Sequence, residues 1–275
     1  MKAQPLYDDF EFIQVERSES ILRLTLNRPD VLNAIHGPLH AELARIFERV
    51  AVDRDAKVVV LRGAGRAFCA GGEMEWIRSF RPGMESNEVA VHAKKIIRDL
   101  LDLPQPIIAA VHGVSAGLGT SIALCCDYIA MGESARIGDP HVRVGLVAGD
   151  GGALIWPLLV GVAKAKEYLM TGDLLTAREA ERLGLVNRVV PDDMLMDEIT
   201  SYAERLLAGS QPAIRGTKAA VNQLLKHLAG LTFEYSLLAE QATFGSDDVQ
   251  EGTRAMEEKR KPVFRDGWAD GATAS

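Results

Sequence analysis

Two kinds of hydrophobic pattern alternate along the chain, and their order predicts its architecture. The stretch FIQVERSESILRLTLNRP (12–29) reads as two short strands joined by a charged turn and stopped near Pro29. From Pro38 to Asp53 the apolar residues Leu39, Leu43, Ile46, Phe47 and Val50 fall at helical spacing. AKVVVLRGAG (56–65) and PIIAAVHGV (106–114) are unbroken apolar runs ending in glycine, the pattern of parallel strands buried on both faces. Between them, EVAVHAKKIIRDLLDL (88–103) predicts a helix stopped by Pro104 and Pro106. GTSIALCCDYIAMG (119–132) predicts a helix running into a strand, and ARIGD (135–139) a strand edge. ALIWPLLVGVAKAKEYLMTG (153–172) predicts a helix interrupted at Pro157 and ending at Gly172. TAREAERLGLVNRVVP (176–191) reads as helix, glycine stop and strand, and from about Asp193 the chain is almost wholly helical.

Strands alternating with helices predict an α/β fold with a mainly parallel sheet. The simplest division is a core over residues 1–195 and a helical C-terminal subdomain over 196–275. The 275 residues are enough for such a domain, and 47% hydrophobic residues make it an ordinary globular chain. A net charge of −7 argues against a nucleic-acid partner, which would require a basic face. No apolar run approaches the roughly 18 residues of a membrane span, and MKAQPLYDDFEF lacks the apolar core of a secretion signal. Cys69, Cys125 and Cys126 fit neither a disulfide framework nor a zinc site, so they are expected as buried thiols in a reducing, cytoplasmic compartment.

The candidate chemistry lies in three glycine-rich stretches. GRAFCAGGEMEWI (65–77) and VHGVSAGLGTSIAL (111–124) each follow a strand with a glycine turn and a helix start. Amides at a helix start favour a negative oxygen, and two that converge form an oxyanion hole. Neither stretch fits a dinucleotide fingerprint or a phosphate loop, and glycine turns are also routine in α/β folds. The third stretch, GDPHVRVGLVAGDGG (138–152), crowds glycines with Asp139, His141 and Asp150. Histidine titrates near neutrality and serves readily as a general base.

The phrases LNRPDVLNAI (26–35), GAGRAFCAGGEMEWI (63–77), PQPIIAAVHGVSAGLGTSIALCCDYIA (104–130), MTGDLLTAREAERLGLVNRVVP (170–191) and EGTRAMEEKRKPVF (251–264) resemble the crotonase, or enoyl-CoA hydratase/isomerase, superfamily. The resemblance spans roughly residues 10–265 in one order. It implies a spiral of ββα units with a helical C-terminal region, assembled as a homotrimer or a dimer of trimers. It implies a coenzyme A thioester as substrate, with no metal or redox cofactor. The oxyanion amides it implies are those of Gly72 and Leu118, flanked by Gly71, Gly117 and Gly119. Standard hydratases of the family carry two glutamates, and Ser121 and His141 stand at those positions here. The resemblance therefore implies hydratase or lyase chemistry in which His141, oriented by Asp150, replaces the pair.

Three other readings stay open at the level of sequence. One is a β-diketone carbon–carbon hydrolase, whose branch pairs histidine with aspartate but has histidine where this chain has Leu118. The second is an enoyl- or dienoyl-CoA isomerase, which moves one proton without water. The third is a non-catalytic acyl-CoA binder. Serine at position 121 is also similar to the feruloyl-CoA hydratase-lyase branch, which keeps the glutamate that His141 displaces. Arg28, Arg62, Arg66, Lys261 and Phe264 are candidates for holding coenzyme A, the last two in a neighbouring subunit's site. Glu73, Met74, Trp76, Ile77 and Trp156 are candidates for the substrate pocket. Glu240 is a candidate carboxylate for the pocket, with a helix salt bridge as the plainer expectation. His92 is expected at the surface, His36, His40 and His112 as structural, Asp139 as a turn former and Asp127 as a support of the fold.

Overall fold

The structure, a computed structural model, describes residues 5–81 and 84–265. A hairpin of β1 (Ile13–Ser18) and β2 (Ile21–Leu26) leads to α1 (Gly37–Ala51) and β3 (Val58–Gly63). Next come α2 (Met74–Ser79), α3 (Met84–Asp102), β4 (Ile107–Val111), β5 (Val114–Ala116) and α4 (Leu118–Leu124). Then follow β6 (Tyr128–Gly132), β7 (Arg136–Gly138), α5 (Gly152–Thr171), β8 (Leu175–Thr176), α6 (Ala177–Leu183) and β9 (Arg188–Val190). Three helices close the described chain: α7 (Leu195–Leu207), α8 (Gln211–Thr243) and α9 (Asp247–Glu257).

Six strands form one sheet in the order β1-β2-β3-β4-β6-β9, parallel except for the β1–β2 hairpin. A second sheet pairs β5 with β7 in parallel and β7 with β8 antiparallel. Every residue of β4 is buried, as are all but Arg62 in β3, which is why these strands read as continuous apolar runs. Helix α1 buries Leu39, Leu43, Ile46, Phe47 and Val50, and the His36 side chain caps its start by accepting from the Leu39 amide. Helix α6 begins with a capping box between Thr176 and Glu179 and ends at Gly184 in the left-handed conformation.

Two features depart from the sequence expectation. Strands β5 and β8, three and two residues long, are too short to leave a periodic signal. Helix α5 continues through Pro157 and breaks instead at Gly161, where φ is 79° and ψ is 157°. Pro157, the sixth residue of α5, forfeits one intrahelical hydrogen bond without ending the helix, whereas the Gly161 conformation cannot continue one. Cys69, Cys125 and Cys126 are buried free thiols, and no helix among the described residues is long and apolar enough to cross a membrane.

Candidate active site

The two upstream glycine stretches are laced to each other. Cys69 pairs with Ser115 in a parallel bridge, donating its amide to Val114 O at 3.1 Å and accepting from the Ala116 amide at 2.9 Å. Gly71 (φ +87°) lies so close that a Cβ there would be 3.0 Å from Ala116 O. Gly117 (φ +52°) faces it, 3.7 Å from the Gly71 Cα by the same measure. A Cβ on Gly119 would sit 2.6 Å from the Cys69 side chain. Only glycine permits these approaches.

The contacts leave two amides over. Ile35 donates to Gly71 O and accepts from the Glu73 amide, bypassing the amide of Gly72 between them. Leu118 is the first residue of α4, so its amide has no acceptor within the helix. Gly72 and Leu118 line the same pocket.

Asn33 anchors this arrangement and drew no notice in the sequence. It is fully buried at φ +56°, a conformation asparagine tolerates. Its Nδ2 donates to Ala64 O, Ala67 O and Phe68 O, and its Oδ1 accepts from the Arg28 amide.

The acid–base cluster comes from the third glycine stretch. Pro140 turns the chain into a 3-10 turn over His141–Val144. His141 Nδ1 is hydrogen-bonded to Asp139 Oδ1, and Nε2 lies 3.3 Å from Asp150 Oδ2. Asp150 Oδ1 accepts from Ser121 Oγ at 3.2 Å. Glu240 Oε1 of α8 stands 3.9 Å from His141 Nε2. Burial by itself lowers the histidine's pKa, but Asp139 and then Asp150 outweigh it and hold the imidazole well above its ordinary value. Burial, reinforced by Asp150, pushes Glu240 well above the usual carboxylate range. Asp139 and Asp150 thus both favour the charged, imidazolium form of His141.

Asp139 is thus more than a turn former, since it holds the histidine's other nitrogen. Glu240 is buried over the cluster, and among the described residues its ion-pair contact is to His141 and not to a cation on its own helix. The glycines between Ala148 and Ala153 bring protein groups together. A Cβ on Gly149 would strike Ser236 O at 2.3 Å and Glu240 Cβ at 2.6 Å, on Gly151 Ser121 Cβ at 2.9 Å, and on Gly152 Asp139 Oδ2 at 2.1 Å.

Asp139, His141 and Asp150 could each offer a metal one donor atom within 4.8 Å of the others. The imidazole, however, presents opposite nitrogens to its two carboxylates, which suits hydrogen bonds through the ring better than a chelate.

Other predicted residues fall in different places. Trp76 and Ile77 line the pocket with Phe80, Phe244, Leu146 and Leu237. Met74 packs beside them in a small apolar cluster. Trp156 is completely buried in the main core and does not reach the pocket wall. Arg28 is already committed, to Glu73 at 3.2 Å and to Ala34 O at 2.5 Å. Arg62 and Arg66 line a separate depression with His112, which hydrogen-bonds Gly65 O through Nε2. Lys261 and Phe264 border a cavity beside Arg143 and Met170, apart from the pocket. Asp127 supports the fold, accepting from Lys218 Nζ and from the Ile107 amide, each at 2.7 Å. His92 is half-buried, and its ring lies 5.6 Å from that of His40, a pocket residue that sequence reasoning had treated as structural.

Known proteins place this architecture. The crotonyl-CoA hydratase of Syntrophomonas wolfei is 33% identical over 256 residues, covering 93% of this chain and 98% of that one. The crystal structure of an enoyl-CoA hydratase/isomerase from Mycobacterium paratuberculosis superposes with a TM-score of 0.86 at 35% identity, covering 90% of this chain and 99% of that one. A β-diketone hydrolase from the cyanobacterium Anabaena, solved with (S)-3-oxocyclohexyl acetic acid bound, superposes with a TM-score of 0.82 at 30% identity, covering 89% and 98%. The enoyl-CoA hydratase/isomerase family model matches residues 16–267. The chain belongs to the enoyl-CoA hydratase/isomerase family and has the crotonase fold.

Proposed function

We propose that this enzyme hydrates the double bond of an enoyl-CoA thioester, using a carboxyl pair in which Asp150 is the base and Glu240 the acid. The observation that carries the reading is a single pocket lined by Gly72, Leu118, His141, Asp150 and Glu240. The amides of Gly72 and Leu118 receive the thioester oxygen and stabilise the negative charge that develops there. Asp150 accepts hydrogen bonds on both oxygens and takes a proton from water as the water oxygen bonds to the β-carbon. The enolate collapses as Glu240, which burial keeps protonated, gives its proton to the α-carbon. His141 resets the pair: Nε2–H passes to Glu240 while the nitrogen receives the proton from Asp150. Asp139 keeps the ring charged and oriented throughout, so His141 relays protons and does not itself abstract one from water.

Coenzyme A extends from the pocket mouth, with no metal or redox group required by these steps. Assembly into a homotrimer or a dimer of trimers accords with α8, whose Val221, Leu224, Leu231, Tyr235 and Leu238 are 61–78% exposed in one chain.

A β-diketone carbon–carbon hydrolase is the second reading, supported by the Anabaena relative and by the histidine–aspartate cluster. Two measurements separate them. Turnover of crotonyl-CoA, followed by loss of enoyl absorbance, is expected for the hydratase and should drop at least about 100-fold in Asp150→Asn. Thermal stabilisation by CoA thioesters is expected as well, because they bind the folded state. Cleavage of a cyclic β-diketone with indifference to CoA thioesters would reverse the assignment.

A further inference from the structure

His40 is 2% exposed and lies on the pocket wall, yet nothing among the described residues hydrogen-bonds to its ring. Its neighbours are the rings of Trp76, at 5.2 Å, and His92, at 5.6 Å. Its ring nitrogens are not among the sealed, unpaired side-chain atoms of the described residues, so they open onto the pocket. Leucine or phenylalanine would serve packing at such a helix position equally well. The ring also stands apart from the acid–base cluster: none of Asp139, His141, Asp150 and Glu240 acts on it, and the charge it feels is that of His92. His40 therefore serves neither the reaction's protons nor the fold, and a polar atom of the bound acyl group is the partner left for it.

We propose that His40 hydrogen-bonds an uncharged polar group, a hydroxyl or ketone, carried on the acyl chain, so that the preferred substrates are oxygenated acyl-CoA thioesters. This inference rests on the acyl-CoA reading above. An uncharged group is specified because burial, with His92, holds the imidazole down to about 3, so the ring is neutral and offers one donor and one acceptor. A carboxylate there would lose its hydration against the rings of Trp76 and His92. The surrounding Trp76, Phe80 and Phe244, stacked edge to face, enclose the rest of the chain.

Binding decides the matter without relying on turnover. Hexanoyl-CoA, 5-hydroxyhexanoyl-CoA, 5-oxohexanoyl-CoA and adipoyl-CoA are titrated calorimetrically into the wild-type protein, His40→Leu and His40→Gln. At least one of the two uncharged oxygenated chains should bind the wild type about 10-fold or more tighter than hexanoyl-CoA and adipoyl-CoA. His40→Leu should abolish that preference and His40→Gln should retain part of it. Equal or tighter binding of hexanoyl-CoA or adipoyl-CoA by the wild type, or a preference that survives in His40→Leu, overturns the inference while leaving the acyl-CoA reading intact. Failure of all four thioesters to bind overturns both. The wild-type ratio is decisive by itself should His40→Leu not fold.

Discussion

Asp139 grips His141 from two residues upstream, across Pro140, and Asp150 meets the opposite nitrogen of the same ring. One histidine is thereby held by two carboxylates, only one of which also faces the pocket. Asp139 has no hydrogen-bond partner for its Oδ2 and stands against Gly152, the first residue of α5. The positive end of that helix favours a carboxylate there.

Asp139→Asn should therefore impair catalysis without abolishing the pocket. The substitution keeps the shape but removes the charge that does most to hold the proton on His141. A charge-assisted bond of this kind contributes roughly 2 kcal/mol, which corresponds to a kcat about 30-fold lower. The alkaline limb of the kcat profile should also move toward neutral pH, since the weaker field releases the proton sooner. An unchanged profile would show that His141 does not depend on Asp139 for its charge.

Glu240→Gln tests the acid. The amide preserves size but cannot donate to carbon, so hydration should fall about 100- to 10,000-fold. In the wild type the raised pKa of Glu240 predicts an alkaline limb as well, because activity is lost once pH passes through it and the proton leaves. That limb should be absent from the residual activity of Glu240→Gln. Retention of more than about a tenth of the rate would assign the proton delivery elsewhere.

Much of the fold could be read from residue patterns, since α1 and α3 are long enough to show their period and β3 and β4 read as unbroken apolar runs. His141 and Asp150 were legible because they lie in a dense glycine stretch at a family position. Asp139 was not, because an aspartate before proline reads equally as a turn former, and only the 3-10 turn after Pro140 aims it back at His141. Glu240 and His40 sit on helices whose partners lie far away in sequence, so single-helix patterns leave Glu240 a pocket candidate with a salt bridge as the plainer expectation and make His40 structural. Trp156 shows the converse error, a large aromatic near the site whose ring faces inward to Tyr168, at 6.0 Å.

Asn33 carries a prediction about stability. Asn33→Ala leaves three carbonyls that had shared its Nδ2, two of them beside buried residues Ala67 and Phe68, and puts alanine at φ +56°. Lost hydrogen bonds and left-handed strain together should cost about 3 kcal/mol in a urea melt. Because the same side chain ties down the loop that leads to Gly72, kcat for enoyl-CoA should fall more than the affinity for CoA. A loss below about 1 kcal/mol would mean that the loop holds itself.

His40 makes acid stability a measurable signature. Its pKa is about 6.5 in the unfolded chain and about 3 when folded. Between these values the unfolded chain binds a proton that the folded chain does not, so stability is retained above about pH 6.5 and declines as pH falls toward 3. From about pH 6.5 to about pH 4.5 the loss from this residue should be roughly 2–3 kcal/mol. His141 behaves in the opposite sense: its folded pKa is raised, so its contribution is fully present below 6.5 and fades only as pH rises through the folded value. Glu240, also raised, costs stability as pH climbs above the ordinary carboxylate range. Both groups remain in His40→Leu, so subtracting its denaturation free energies from those of the wild type isolates His40. The variant should lose less stability than the wild type on acidification, by that amount. Parallel curves for the two proteins would mean that His40 accepts a proton while folded, and that its surroundings are wetter than the packing of Trp76 and His92 against it implies.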